Sequence, residues 1–481
     1  MDLKKKTVSG MFWVFIDNVF IKGFSFVGTL LLAKMLAPSD FGLIAIITIF
    51  VSIGSIIIDS GLSSSLLRNL NNDESDYSTV FYTNLLLSLI MYLLVYCLAP
   101  TISNFYDQPI LIEIIRVYSL SFIITALSSV QTIVLLKKLQ FRKITYLNMP
   151  GVIIGNIFAL IMGYFGYGVW SIVFMLILPQ IFQMIIFWFW SGWMPKRIFS
   201  YEKLKYHYLF GYKLLVTSLL SCLVNNLYNI IIGKVYPLKK LGYYDRGNSL
   251  VQYPLIILTQ IIGKVSLPIL SEIQEDKGKF LNVFKKLLDF SFFITAPIMF
   301  LLSAVSRPLI MTLLGEKWLA AVPILQIISI GGAFYTIQVL NMNVIKIFGR
   351  SDLILKKEVL INGFFILSVF VAYFLGFYAF MWSAVINSIF ATFINIHYSS
   401  FVISLSIRAQ FKAMSMILLN SILMYLAVFI AQSNIPFGVQ PIFELIFLIT
   451  VGLCTFLSLS FVSKTPSLML TFEWLRDKFD K

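Results

Sequence analysis

The chain has 481 residues, of which 59% are hydrophobic and 12% charged, with a mean hydropathy of +0.89. A soluble protein of this length would carry about twice that charged fraction, so composition excludes a water-soluble globular fold and points to an all-α polytopic membrane protein. The apolar runs are continuous rather than short and alternating, which excludes a transmembrane barrel. The net charge of +15, which in a soluble protein would suggest nucleic acid, here marks cytoplasmic loops and contact with anionic lipid.

Lys4, Lys5 and Lys6 precede an apolar segment that runs to Leu36 without a small-residue cleavage site, so the N-terminus is expected to stay in the cytoplasm and the first helix to stay in the protein. Fourteen spans follow, at about 12–36, 42–66, 80–99, 113–136, 146–165, 168–190, 209–235, 243–269, 280–303, 320–347, 357–375, 377–401, 413–432 and 439–462. They divide into a six-helix lobe (1–190), a cytoplasmic linker (191–208), a second six-helix lobe (209–402), two extra helices (403–463) and an amphipathic tail (464–481). The two lobes echo one another. Lys34, Gly42, Val51, Ile56, Ile57 and Leu67 recur 200 residues later, and a tight turn followed by a charged loop recurs with them. An even number of spans per lobe makes these parallel repeats, related by an axis along the membrane normal.

Basic residues fall in the even-to-odd loops: Lys137, Lys138, Arg142 and Lys143, then Lys196, Arg197, Lys203 and Lys205, then Lys277, Lys279, Lys285 and Lys286. Both termini are therefore expected inside. Two groups break the rule. Asp73, Glu74 and Asp76 sit in an expected internal loop, and Lys239, Lys240 and Arg246 in an external one. The external connections are short, which limits any activity to the membrane and its two faces.

Pro150, Pro179, Pro254, Pro268, Pro297 and Pro323 interrupt spans. They serve either packing or bending of helices that rock. In the tail, Thr465-Pro466 offers a helix start, and Leu468, Phe472, Leu475 and Phe479 form an apolar stripe for the inner leaflet.

Ionisable groups inside spans cost about 2.5–3.5 kcal/mol on insertion scales, so each needs a partner or a wet cavity. They are Asp17 and Lys22 in the first span, Asp59 in the second, Lys213 in the seventh, Lys264 in the eighth and Asp289 in the ninth. Lys22 lies about 15 Å deep at 1.5 Å per residue. It could meet Asp59 in a structural ion pair, or join Lys264, and more peripherally Lys213, in giving a cavity positive charge for an anionic head group. Lys213 and Lys264 could instead snorkel to the inner face. Asp17, Asp59 or Asp289 could titrate or bind a cation during coupling. Polar residues such as Asn225, Asn226, Gln338 and Asn341 line a wet path or join helices. Cys97, Cys222 and Cys454 have no pairing or metal spacing, and His207 and His397 stand isolated. No phosphate-binding glycine loop, nucleophile–base motif or metal cluster is found, so no catalytic centre, metal or cofactor is expected.

The stretches LLAKMLAPSDFGLIA (31–45), DSGLSSSLLR (59–68) and LGYYDRGNSLVQYP (241–254) resemble the Wzx-type polysaccharide flippases, within the MOP exporter group that also holds MATE drug exporters and lipid II flippases. Lys34 stands where that family often has Arg, and Asp245 where it more often has Asn, which leaves specificity open. The resemblance implies two six-helix lobes around a cationic V-shaped cavity with alternating access. It implies a cargo of undecaprenyl-diphosphate-linked oligosaccharide, moved outward across the bacterial inner membrane for surface polysaccharide such as O-antigen. Its partners would then be the lipid-linked oligosaccharide and membrane lipids, with room for a polysaccharide polymerase and chain-length machinery, and no nucleic acid. Lys22 best matches the family's cationic lining, and Lys264 matches it less well. The alternatives are a cation-coupled exporter of the MATE type, which would want buried carboxylates without neighbouring Lys, and a membrane enzyme, which would usually carry a large external loop.

Overall fold

A computed structural model describes residues 13, 21–436 and 438–469. Asp17 and the tail beyond Met469 lie outside the described residues, and with them Phe472, Leu475 and Phe479 of the expected tail stripe. Among the described residues the chain is helical with no strand.

The helices are α1 (Gly23–Met35), α2 (Pro38–Asp59), α3 (Leu62–Arg68), α4 (Glu74–Tyr106), α5 (Leu111–Tyr118), α6 (Ser121–Lys137), α7 (Phe141–Tyr164), α8 (Val169–Trp190) and α9 (Tyr201–Val235). They continue with α10 (Leu238–Glu272), α11 (Lys277–Ala304), α12 (Ser306–Leu313), a 3₁₀ turn (Glu316–Ala321), α13 (Val322–Gly332), α14 (Tyr335–Ile347), α15 (Ser351–Leu375), α16 (Phe377–Ile403), α17 (Ile407–Ser433) and α18 (Pro441–Val462). Among the described residues, 13 helical segments are long and apolar enough to cross a membrane, and the shorter apolar helix α1 adds to them. The chain is a multi-pass membrane protein.

Several spans differ from the expected ones, for local reasons. The expected span 42–66 is two helices, because Ser60 (φ 45°) and Gly61 (φ 71°) take left-handed conformations that end α2. The span 113–136 is broken at Ser119–Leu120 into α5 and α6. The span 320–347 begins as a 3₁₀ turn. Pro323 then sits in the first turn of α13, where its missing N–H costs nothing, so it starts a helix rather than interrupting one. Pro150, Pro179, Pro254, Pro268 and Pro297 do lie inside helices.

Capping explains why two spans begin early. The Ser200 side chain accepts from the backbone N–H of Lys203 at 3.4 Å, so α9 starts at Tyr201, within the stretch expected to be linker. Asp73 and Asp76 bond each other's backbone N–H at 2.9 Å, a reciprocal cap that starts α4 at Glu74. Helices of 33 and 35 residues such as α4 and α9 are about 50 Å long, longer than a hydrocarbon core about 30 Å thick. Their polar ends therefore extend beyond the apolar layer.

The chain forms two compact units, 1–242 and 243–481. In the first, α7 runs along α8, α4 packs on α6, and α9 lies against α2, α3 and α4. In the second, α11 runs along α17, α15 along α16, and α17 along α18.

The two echoing turns meet in the first unit. A Cβ on Gly42 would lie 2.4 Å from the Leu238 carbonyl oxygen, and a Cβ on Gly242 only 1.8 Å from that of Pro38. Backbone therefore touches backbone, and only glycine fits at either place. The recurrence of Gly42 as Gly242 is a contact between the two copies of the turn.

Candidate functional site

The break after α2 is joined to the middle of α9 by a second glycine pair. A Cβ on Gly61 would sit 2.6 Å from the Gly211 carbonyl oxygen, and one on Gly211 would sit 2.3 Å from that of Ser60. Four residues along α3, and four back along α9, the same faces carry Ser65 and His207. Four residues further back, α9 carries Lys203. One seam therefore holds Lys203, His207 and Gly211 against Gly61, Ser65 and the start of α4.

That seam is bonded throughout. Ser65 Oγ lies 2.7 Å from His207 Nδ1, and His207 Nε2 lies 3.0 Å from Asp76 Oδ1. Lys203 Nζ bonds Asp76 Oδ2 at 2.9 Å and Asp73 Oδ2 at 3.3 Å. Asp76 is 1% exposed and His207 0%. A carboxylate this deep requires these partners. Trp193 Nε1 donates to Glu74 at 3.1 Å, so all three acidic residues that broke the charge rule are engaged by partners from other elements or by each other's caps. The Asp73 carboxyl is held below its ordinary value, first by the Asp76 backbone N–H and then by Lys203. What that contributes to stability is present above the ordinary carboxylate value and is lost as pH falls through the lowered one. Asp73 is largely exposed, so the contribution is small.

The residue types match a Ser–His–Asp triad, but His207 is wholly buried and its ring nitrogens are both engaged. Neither could pass a proton to a substrate. The cluster fastens α3, α4 and α9 together.

Expected internal loops also converge on this end of the unit. Lys137 Nζ donates to the Asn69 carbonyl at 2.6 Å, the Lys196 N–H to Ser78 Oγ at 3.0 Å, and the Ser200 N–H to Thr79 Oγ1 at 3.0 Å. Loops 67–79, 137–143 and 191–200 thus share one face. Beside them opens a cavity of about 630 Å³ lined by Ser65, Arg68, Asn69, Asn71, Tyr206 and Phe210, with Leu70 and Leu209 at its rim.

The residues singled out from sequence are placed as follows. Lys22 precedes α1, is exposed, and forms no ion pair with Asp59 among the described residues. Asp59 instead accepts from the Ser63 backbone N–H at 3.3 Å and so caps the restart of the helix after the Ser60–Gly61 break. Lys213 is exposed, 5.9 Å from the ring of its neighbour Tyr212. Lys264 is exposed on α10. Asp289 is buried and accepts from Ser467 Oγ, so the described start of the tail returns to α11. Leu468 beside it is buried as well, rather than facing lipid. On the far side of the charge rule, Arg246 pairs with Asp245 at 2.5 Å and Lys234 with Asp107 at 3.2 Å.

Sequence reasoning missed His207, which it read as isolated, and Asp76, which it read only as a charge in the wrong loop. The signal that could have found them is the spacing Lys203–His207–Gly211, one stripe of a helix, with a capping aspartate opposite.

Residues 31–323 match the family described as polysaccharide biosynthesis protein. The chain is 26% identical to the teichuronic acid biosynthesis protein TuaB of Bacillus subtilis over 95% of both chains. It is 25% identical to the lipopolysaccharide biosynthesis protein WzxC of Escherichia coli, over 69% of this chain and 68% of that one. Among solved structures it superposes on the lipid II flippase MurJ in an inward closed conformation with a TM-score of 0.73, at 18% identity, over 94% of this chain and 98% of that one. An inward-facing multidrug resistance MATE transporter of the MOP superfamily gives 0.64 at 14% identity, over 84% and 99%. At these identities the structural likenesses show the fold alone, one shared with both of these transporters.

Proposed function

Because this chain belongs to the polysaccharide biosynthesis protein family, we propose that it is a flippase that carries undecaprenyl-diphosphate-linked oligosaccharide from the inner to the outer leaflet for surface polysaccharide assembly. The observation that carries this reading is the match to TuaB over 95% of both chains, supported by a likeness to WzxC. The fold is one used to move substrates through lipid by alternating access of two helical lobes, here residues 1–190 and 209–402 joined by 191–208. The protein acts as a transporter and not as an enzyme. It resides in the bacterial inner membrane with both termini in the cytoplasm, a reading supported by basic loops that share one face of the first unit.

Lys22 and Lys264 supply positive charge for the diphosphate, Lys213 attends the path more peripherally, and the lipid tail stays in the bilayer. Lys22 is exposed and has no ion-pair partner among the described residues, as a ligand for an anionic cargo requires. Asp17, Asp59 and Asp289 are the candidates for ion coupling, and Asp59 and Asp289 each accept a hydrogen bond inside the protein.

The test is a deletion strain complemented with the wild type or with Lys22→Ala. The deletion strain is expected to lose surface polysaccharide and accumulate lipid-linked repeat units on the inner leaflet. Lys22→Ala is expected to leave protein level intact and to restore no polysaccharide. Normal polysaccharide in the deletion strain would refute the flippase reading, and normal polysaccharide with Lys22→Ala would remove Lys22 from the site.

A further inference from the structure

The cavity of about 630 Å³ beside the Ser65–His207–Asp76 seam has a chemistry the seam alone does not require. Its cation is Arg68, exposed, with its guanidinium carbon 4.6 Å from the centroid of the Phe210 ring. No carboxylate pairs with Arg68 among the described residues. The cation–π contact holds the guanidinium beside the ring that lines the cavity with it, and a guanidinium with no carboxylate partner is suited to phosphate. Asn69 and Asn71 line the same cavity, with Asn69 Oδ1 accepting from the Asn71 backbone N–H at 3.3 Å, and an amide N–H can donate to a hydroxyl. Tyr206, 58% exposed, adds an aromatic face, and Leu70, 87% exposed, an apolar rim.

The cavity wall at Ser65 is fixed in position. Ser65 is 3% exposed and its hydroxyl is held by His207 Nδ1 at 2.7 Å. His207 is held in turn through Nε2 by the Asp76 carboxylate at 3.0 Å. Ser65 thus presents a positioned hydroxyl at the cavity wall, a group that bonds other hydroxyls. A site with a guanidinium, two amides, an aromatic face and a positioned hydroxyl takes a phosphate that carries a sugar, rather than a bare phosphate.

We propose that this cavity is a loading site on the cytoplasmic face for the glycosyl-phosphate head of the lipid-linked cargo, separate from the lysines proposed for the translocation path. Arg68 takes the phosphate, Ser65 bonds a sugar hydroxyl, Asn69 and Asn71 bond further hydroxyls, and the exposed leucines at the rim meet the start of the lipid. The orientation and the cargo rest on the flippase reading above.

The test uses the full-length protein in nanodiscs, with p-benzoylphenylalanine introduced at Leu70 and tritiated farnesyl-diphosphoryl-N-acetylglucosamine as probe. Photolysis is expected to label the protein. Arg68→Gln is expected to weaken labelling about tenfold, the size of a lost charged hydrogen bond to phosphate, and Asn71→Ala to weaken it less. Unlabelled probe should compete well, farnesyl diphosphate without the sugar less well, and inorganic phosphate hardly at all. Since Arg68 and Asn71 are on the surface, their variants should melt as the wild type does. Absence of labelling at position 70, or labelling indifferent to Arg68→Gln, would overturn the proposal. Equal competition by phosphatidylglycerol would also overturn it, by making the cavity a general anionic-lipid site. Specific labelling in a protein whose deletion leaves surface polysaccharide normal would keep the cavity as a glycosyl-phosphate site and refute the flippase reading instead. Loss of polysaccharide on deletion, with no labelling at position 70, would do the reverse.

Discussion

Gly242→Val is expected to abolish accumulation of folded protein. The reason is geometric. A Cβ at this position would lie 1.8 Å from the Pro38 carbonyl oxygen and 3.3 Å from the Gly42 nitrogen, and neither neighbour is a side chain that could rotate away. The turns at 36–38 and 236–238 would have to separate, and overpacking that displaces backbone costs more than about 3 kcal/mol, the upper end of ordinary overpacking. The same helix supplies a control. A Cβ at Gly263 would meet only Val339 Cγ1 at 3.7 Å, an ordinary contact. Gly263→Ala is therefore expected to be neutral or to stabilise α10 by up to about 1 kcal/mol. Size-exclusion profile and melting temperature in detergent read both variants. A Gly242→Val protein that elutes and melts as the wild type does would show that the two turns do not touch.

Asp76→Ala is expected to have the next largest effect. It removes the reciprocal cap of α4, leaves the buried His207 Nε2 without its partner, and takes from Lys203 the nearer of its two carboxylates. Breaking a buried charged pair costs about 3–5 kcal/mol. Asp76→Asn keeps one side-chain oxygen, which can cap α4 or accept from His207 but not both, since those bonds use different oxygens of Asp76, so its cost should be smaller but not negligible. His207→Ala should fall between the two, because Asp76 would retain Lys203. The order of the three melting temperatures is the measurement. Equal melting of Asp76→Ala and wild type would mean that the α3–α4–α9 seam carries no stability.

These two sites also indicate how far the amino-acid pattern reaches. The long apolar runs fixed most spans, because a segment of about 20 apolar residues has few options other than crossing a membrane. The helix breaks at Ser60–Gly61, where both residues are left-handed, and at Ser119–Leu120, where both stay right-handed, were invisible to the same reasoning, since hydropathy averages over a window and neither kind of break changes it. In the first case the local signal, Asp59-Ser60-Gly61, was present, with Asp59 available to cap the next helix. It was read as a buried charge in need of a salt bridge. The echo of Gly42 in Gly242 was legible as a repeat, but not as a contact, because spacing along a chain says nothing about which turns meet. His207 and Asp76 are 131 residues apart, and neither suggests the other until α9 is extended back to its Ser200 cap. The aspartates that upset the charge rule are accounted for by that extension. They neutralise basic groups of the same face rather than marking the opposite one.

Lys22 and Lys264 were legible as unusual residues, and both are exposed. The most direct measurement of the central claim is transport itself. Purified protein is reconstituted into vesicles that hold undecaprenyl-diphosphate-linked repeat units in both leaflets, and an impermeant lectin or oxidase then reports the sugar on the outside. The account predicts that the inner-leaflet pool becomes accessible with the wild type and stays protected with Lys22→Ala. Protection of that pool with the wild type, together with ion-driven movement of a cationic drug, would contradict it and favour an exporter of the MATE type.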